Sequence, residues 1–116
     1  MSHGPRLVAS PPTHGNALGE IPVPGAEEIF QRLAGRPGVT IERIVSHGHR
    51  TPEGSWYDQE QSEWVMVLRG HAVLEIEGRE PLELGPGDWV DLPAHCRHRV
   101  AATADGEPTV WLAVHY

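Results

Sequence analysis

The sequence predicts an all-β fold, an antiparallel barrel or jelly roll with one short N-terminal helix, and three observations predict it. Of 116 residues, 13 are glycine and 11 proline, a share well above the usual one. From Val39 onward, runs of three to nine residues rich in β-branched and aromatic side chains alternate with turns built on Gly, Pro and Asp. That spacing belongs to sandwiches and barrels. Only Ala26–Ala34 carries a helical pattern.

Residues 1–24 hold His3, Pro5, Pro11, Pro12, Gly15, Gly19, Pro22 and Pro24 with little periodicity. They read as an arm, loose or laid over the barrel surface. Residues 25–116 then form one barrel domain, which includes the helix at 26–34. In that helix Glu27 and Glu28 fall in the first turn, Arg32 in the last, and Gly35 supplies the stop; each suits the helix dipole or cap. Ile29, Phe30 and Leu33 give it a short apolar stripe for packing against the sheet.

The strands follow as Val39–His47, Glu63–Leu68, Ala72–Glu77, Leu82–Leu84, Trp89–Leu92, Arg97–Ala101 and Thr109–His115. Arg69-Gly70-His71, between the second and third of these, has the look of a hairpin turn. Alternation puts Glu63, Val65 and Val67 on one face and Trp64, Met66 and Leu68 on the other. Both faces are apolar beyond Glu63, so this strand is expected to be central and covered on both sides. The outer cover is the helix, the arm or a second subunit, and a homodimer is expected.

Bulk properties exclude several functions. The formal charge is −7, with no Lys/Arg run, which argues against nucleic acid and anionic membrane partners. Cys96 is the single cysteine, so there is no internal disulfide framework. The start, MSHGPRLVASPPTHG, lacks an apolar h-region, and runs such as Trp64–Leu68 are far too short to span a bilayer. A cytoplasmic protein is the expectation.

Two half-motifs carry a family resemblance. The cupin family has a first motif G-x5-H-x-H-x(3,4)-E-x6-G and a second G-x5-P-x-G-x2-H-x3-N. Glu63 and Gly70 match E-x6-G; Gly87, Pro93 and His98 match the second motif through its histidine. Over residues 39–116 the chain resembles cupins, and ERIVSHG, WYDQ, EWV, PAH with HRV, and WLAVHY resemble a small bacterial conserved-barrel subfamily without an established activity. The two histidines of the first motif fall on Trp56 and Asp58, or on Tyr57 and Gln59 with the shorter spacing. The glycine of the second motif is His95 and its asparagine is Ala102.

A typical cupin holds a metal with three His and one Glu, so the resemblance implies a site at Glu63 and His98. Carboxylate and neutral imidazole suit Zn, Fe, Mn or Ni, with Asp58 as a third ligand. A buried Glu–His hydrogen bond without metal is the equal alternative, and Asp58 also reads as a loop cap. No organic cofactor is indicated. His47 ends a strand and is a candidate general base beside Asp58 and Glu63. His49, His95 and His115 are ambiguous between cavity and surface. Trp56 and Tyr57 stand where a flat ligand would enter. Cys96 lies beside Arg97 and near two histidines, but no motif makes it a nucleophile.

The expected function is a small-molecule enzyme with its site inside the barrel, metal-dependent, of isomerase, lyase or dioxygenase type. Its alternatives are a metal-free acid–base dehydratase or epimerase, and a non-catalytic ligand-binding or sensory barrel.

Overall fold

The computed structural model describes residues 9–116; the first eight residues of the expected arm, with His3 and Pro5, lie outside them. Eight strands follow one another: β1 Ile29–Arg36, β2 Val39–Ser46, β3 Glu63–Arg69, β4 Ala72–Ile76, β5 Leu82–Leu84, β6 Trp89–Leu92, β7 His98–Thr103 and β8 Thr109–His115. They form a five-stranded sheet in the order β1-β2-β8-β3-β6 and a three-stranded sheet in the order β5-β4-β7, every pair antiparallel. Among the described residues there is no helix.

The helix expected over 26–34 is corrected: Ile29–Arg36 is an edge strand paired with β2 from Ile29↔Val45 to Arg36↔Val39. Pro37-Gly38 decides the matter. Gly38 has φ +86°, the left-handed value that a Pro-Gly type II turn needs at its second central residue. The turn folds the segment back on β2, and the ladder it gains outweighs a modest helical propensity. Phe30 and Leu33, the intended helix stripe, stand 58% and 46% exposed on this strand. A bulge between Arg32 and Ala34 interrupts its pairing, a common way to blunt a sheet edge.

Arg69-Gly70-His71 is likewise not a hairpin. β3 and β4 belong to different sheets, and Gly70 is where the chain steps between them. Its φ is +81°, and a Cβ there would stand 2.8 Å from the Pro108 carbonyl oxygen and 2.9 Å from Thr109 Cα. Thr109 Oγ1 donates to the His71 carbonyl at 3.1 Å, which ties the step to the start of β8.

The inner faces pack together. Ile44, Val65, Val67, Trp111 and Ala113 of the large sheet meet Ala72, Leu74 and Leu84 of the small one. The alternation read on β3 holds: Glu63, Val65 and Val67 are buried, while Trp64, Met66 and Leu68 are half-buried. On the outer face Trp64 stacks against Trp89 at 6.0 Å. The arm runs over β2, where the buried Arg43 guanidinium donates to the carbonyls of Ala17 (3.1 Å), Gly19 (2.6 Å) and Glu20 (3.3 Å) and to Gln31 Oε1 (2.7 Å).

Candidate functional site

A cavity of about 100 Å³ lies between the sheets. Ile44, Val65, Leu74, Leu92, Val100 and Trp111 form its apolar wall. Register explains which polar groups enter it. Glu63 opens β3 and lies opposite Leu92 of β6 and His115 of β8, so all three share the inner face. His98 opens β7 of the other sheet and faces them.

His98 is held firmly. Its backbone forms a two-way bridge with Tyr57, with N–H···O distances of 2.7 Å and 3.2 Å, and the two rings stack at 5.5 Å. Nδ1 lies 2.9 Å from the Cys96 carbonyl oxygen. A carbonyl only accepts, so Nδ1 carries a proton and Nε2 is the nitrogen that titrates inside the cavity. Nε2 stands 3.6 Å from Glu63 Oε1. Burial works against the imidazolium, but the Glu63 carboxylate and the Cys96 carbonyl outweigh it and raise the His98 pKa above the ordinary value.

Sequence reasoning left a second pair unassigned. His115 Nε2 lies 2.9 Å from Glu42 Oε1 and 3.9 Å from Glu63 Oε2. Glu63 therefore sits between two imidazoles, just beyond hydrogen-bond reach of each. Glu28, expected in a helical first turn, also lines the cavity. Its carboxylate accepts from Ser46 Oγ, which in turn accepts from Trp111 Nε1 at 3.0 Å. Glu42 shares its face with Ile44 and Ser46; that phase was the available signal, blurred because both faces of β2 mix polar and apolar residues.

Asp58 and His47 do not join the site. Asp58 is exposed and its Oδ1 pairs with His95 Nδ1 at 2.8 Å outside the cavity. Its neighbours Tyr57 and Gln59 are the ones that line it, which puts the shorter motif spacing on the inner face. His95 adopts φ +65°, the left-handed backbone for which a glycine is the usual residue at this point of the motif. His47 is exposed, its Nε2 2.8 Å from the Asp105 carbonyl, and His49 Nε2 reaches the Gly25 carbonyl at 2.9 Å.

The comparisons with known proteins fit this architecture. A cupin domain model matches residues 42–115. The chain belongs to the cupin family. A solved structure from Ralstonia eutropha JMP134, provisionally named a mannose-6-phosphate isomerase, is 57% identical, with a TM-score of 0.87, covering 90% of this chain and 97% of that one. A cupin superfamily protein from Desulfitobacterium hafniense DCB-2 is 20% identical (TM-score 0.72; 90% and 92% covered). An RmlC-like cupin from Desulfovibrio desulfuricans is 16% identical (TM-score 0.71; 89% and 94% covered). These two speak for the fold alone. No curated protein matches.

Against the cupin ligand pattern the donor set is short. Tyr57 and Gln59 occupy the inner-face positions where the family places histidines, leaving Glu63 and His98. Among the described residues no three His, Cys, Asp or Glu side chains are grouped to hold a metal ion. His115 and Glu42 stand nearby but pair with each other at 2.9 Å, so among these residues no set of three or four donors is gathered as in a resident zinc-type site. As the side chains stand, they do not fit such an ion. Among the same residues no helix is long and apolar enough to cross a membrane.

Proposed function

We propose that this cupin is an acid–base enzyme that isomerises or epimerises a small carbonyl compound by proton transfer. The observation behind the reading is the buried Glu63–His98 pair, 3.6 Å apart, aimed into an apolar-walled cavity. The isomerase name of the 57% identical Ralstonia eutropha protein points to the same reaction class.

The roles follow from the geometry. A substrate bridging the gap would present an acidic C–H to Glu63, whose carboxylate takes the proton. His98, in its imidazolium form, which the Glu63 carboxylate favours, donates from Nε2 to the adjacent carbonyl oxygen as the enediol forms. Glu63 then delivers its proton to the former carbonyl carbon while His98 takes the proton of the other enediol hydroxyl, which completes an isomerisation. In an epimerisation His98 takes back the proton it gave and a donor on the opposite face protonates the original carbon. The Cys96 carbonyl holds the Nδ1 proton and so leaves Nε2 as the nitrogen that gives and takes a proton.

The test is proton exchange in D2O, followed by NMR on a panel of small α-hydroxy and α-amino carbonyl compounds. At least one should lose its α C–H signal faster with enzyme, and the exchange should survive dialysis against EDTA. Glu63→Gln and His98→Asn should each slow it by on the order of 100-fold or more. A panel with no exchange above buffer, or exchange unchanged in both variants, overturns the reading.

A further inference from the structure

The charges around the cavity say more about its ligand than the relative's name does. Three carboxylates line it, Glu28, Glu42 and Glu63, together with His98 and His115. No arginine among the described residues lines it, and the chain contains no lysine. With the carboxylates ionised, the cavity is negative whether the two imidazoles are protonated or not. The whole chain, at −7, adds to a field that repels anions.

Glu63 supplies the second, independent observation. The residue is only 9% exposed, yet its carboxylate oxygens stand 3.6 Å and 3.9 Å from the nearest imidazole nitrogens. The carboxylate thus has charge partners but no hydrogen-bond donor in direct contact, and its oxygens face the cavity. A ligand N–H or O–H placed in that gap would satisfy it. The surroundings favour a cation over a neutral donor: Trp111, Phe30 and Tyr57 line the same cavity, and aromatic faces attract ammonium groups.

We infer that the cavity takes a small organic cation, a primary amine whose ammonium group docks on Glu63 among the aromatic walls, and that it rejects phosphorylated and carboxylate ligands. Mannose 6-phosphate, the compound named for the Ralstonia eutropha protein, would bring a phosphate dianion to three carboxylates with only two imidazoles to offset them. The inference rests on the cavity being the working site of the acid–base reading and narrows its substrates to amine-bearing compounds.

The probes are ethanolamine, ethylene glycol, glycolate and mannose 6-phosphate, titrated into the full chain at fixed ionic strength. NMR shifts of the His98 and His115 rings report occupancy without turnover. Ethanolamine should bind at least about tenfold more tightly than ethylene glycol, and glycolate and mannose 6-phosphate should not saturate. Glu63→Gln should reduce ethanolamine affinity about tenfold with an unchanged circular dichroism spectrum; the wild-type comparison stands even if that variant misfolds. Glycolate or mannose 6-phosphate binding as well as ethanolamine, or equal binding of glycol and amine, overturns the inference and leaves the acid–base reading intact. Selective amine binding with no proton exchange on any panel compound upholds the inference and sinks the enzyme.

Discussion

His98 Nε2 and Glu63 Oε1 lie 3.6 Å apart although one residue opens β7 of the small sheet and the other opens β3 of the large one. The pair therefore joins the two layers as well as facing the cavity. Removing His98 leaves Glu63 buried without its counter-group and frees the Cys96 carbonyl. His98→Ala is expected to cost about 1–3 kcal/mol in urea unfolding, with an unchanged m-value.

The proton equilibrium of His98 gives a second prediction. Its folded pKa is raised above the unfolded value near 6.5, so the folded state holds the proton more tightly. The stability this group contributes is fully present below about pH 6.5 and is lost as pH rises through the folded pKa. The difference in stability between wild type and His98→Asn should shrink over that window. Burial, the largest single influence, lowers the pKa and is opposed chiefly by Glu63. In Glu63→Gln the NMR titration midpoint of His98 should therefore fall, and a midpoint that stays put would refute the assignment.

Two glycines separate backbone conformation from steric contact. Gly38 and Gly70 both have φ above +80°, but a Cβ on Gly38 meets open space whereas one on Gly70 meets the Pro108 and Thr109 backbone. Gly38→Ala should cost about 1 kcal/mol, the ordinary penalty for a left-handed alanine. Gly70→Ala should cost clearly more, since the backbone of β8 has to shift. Equal losses in paired thermal melts would show that the step between sheets has slack.

His95 offers the reverse experiment. It holds φ +65° without being glycine, and its compensation is an exposed hydrogen bond to Asp58. Exposed pairs of this kind contribute about 0–1 kcal/mol, less than the left-handed strain relieved. His95→Gly should therefore stabilise the protein by about 0.5–1 kcal/mol, and proton exchange at the cavity should not change.

The strands were legible because their period-2 alternation and their Gly and Pro punctuation are local properties. Trp89–Leu92 and Thr109–His115 stand where the sequence places them. β1 was not legible, because AEEIFQRLA has a genuine helical pattern and only the Pro37-Gly38 turn, acting through pairing with β2, makes it a strand. At the site, Glu63 and His98 were readable from two motif fragments. Asp58 was misplaced by one residue of parity: a strand-like stretch sends Tyr57 and Gln59 inward and Asp58 outward, and with both spacings allowed the sequence offered no anchor for the phase. Glu42 and His115 meet only through the β2–β8 register, a contact between distant segments that no local motif encodes.

Arg43 carries the last prediction. It is 7% exposed, and its guanidinium gathers three arm carbonyls and Gln31 Oε1 within 3.3 Å. A planar, permanently charged fork can serve several acceptors at once, which a lysine ammonium cannot do in the same geometry. Arg43→Lys should therefore loosen the arm even though the charge is kept. Hydrogen exchange should accelerate at Gly19, whose N–H is bonded to the Asn16 carbonyl at 2.9 Å within the turn that Arg43 holds. Amides of β3 and β8, on the far side of β2, should keep their protection. Arg43→Met should show the same arm release with a larger stability loss, about 2–4 kcal/mol, because four acceptors lose a buried charged donor. Unchanged exchange at Gly19 in both variants would show that the arm is held by its own packing and not by the guanidinium.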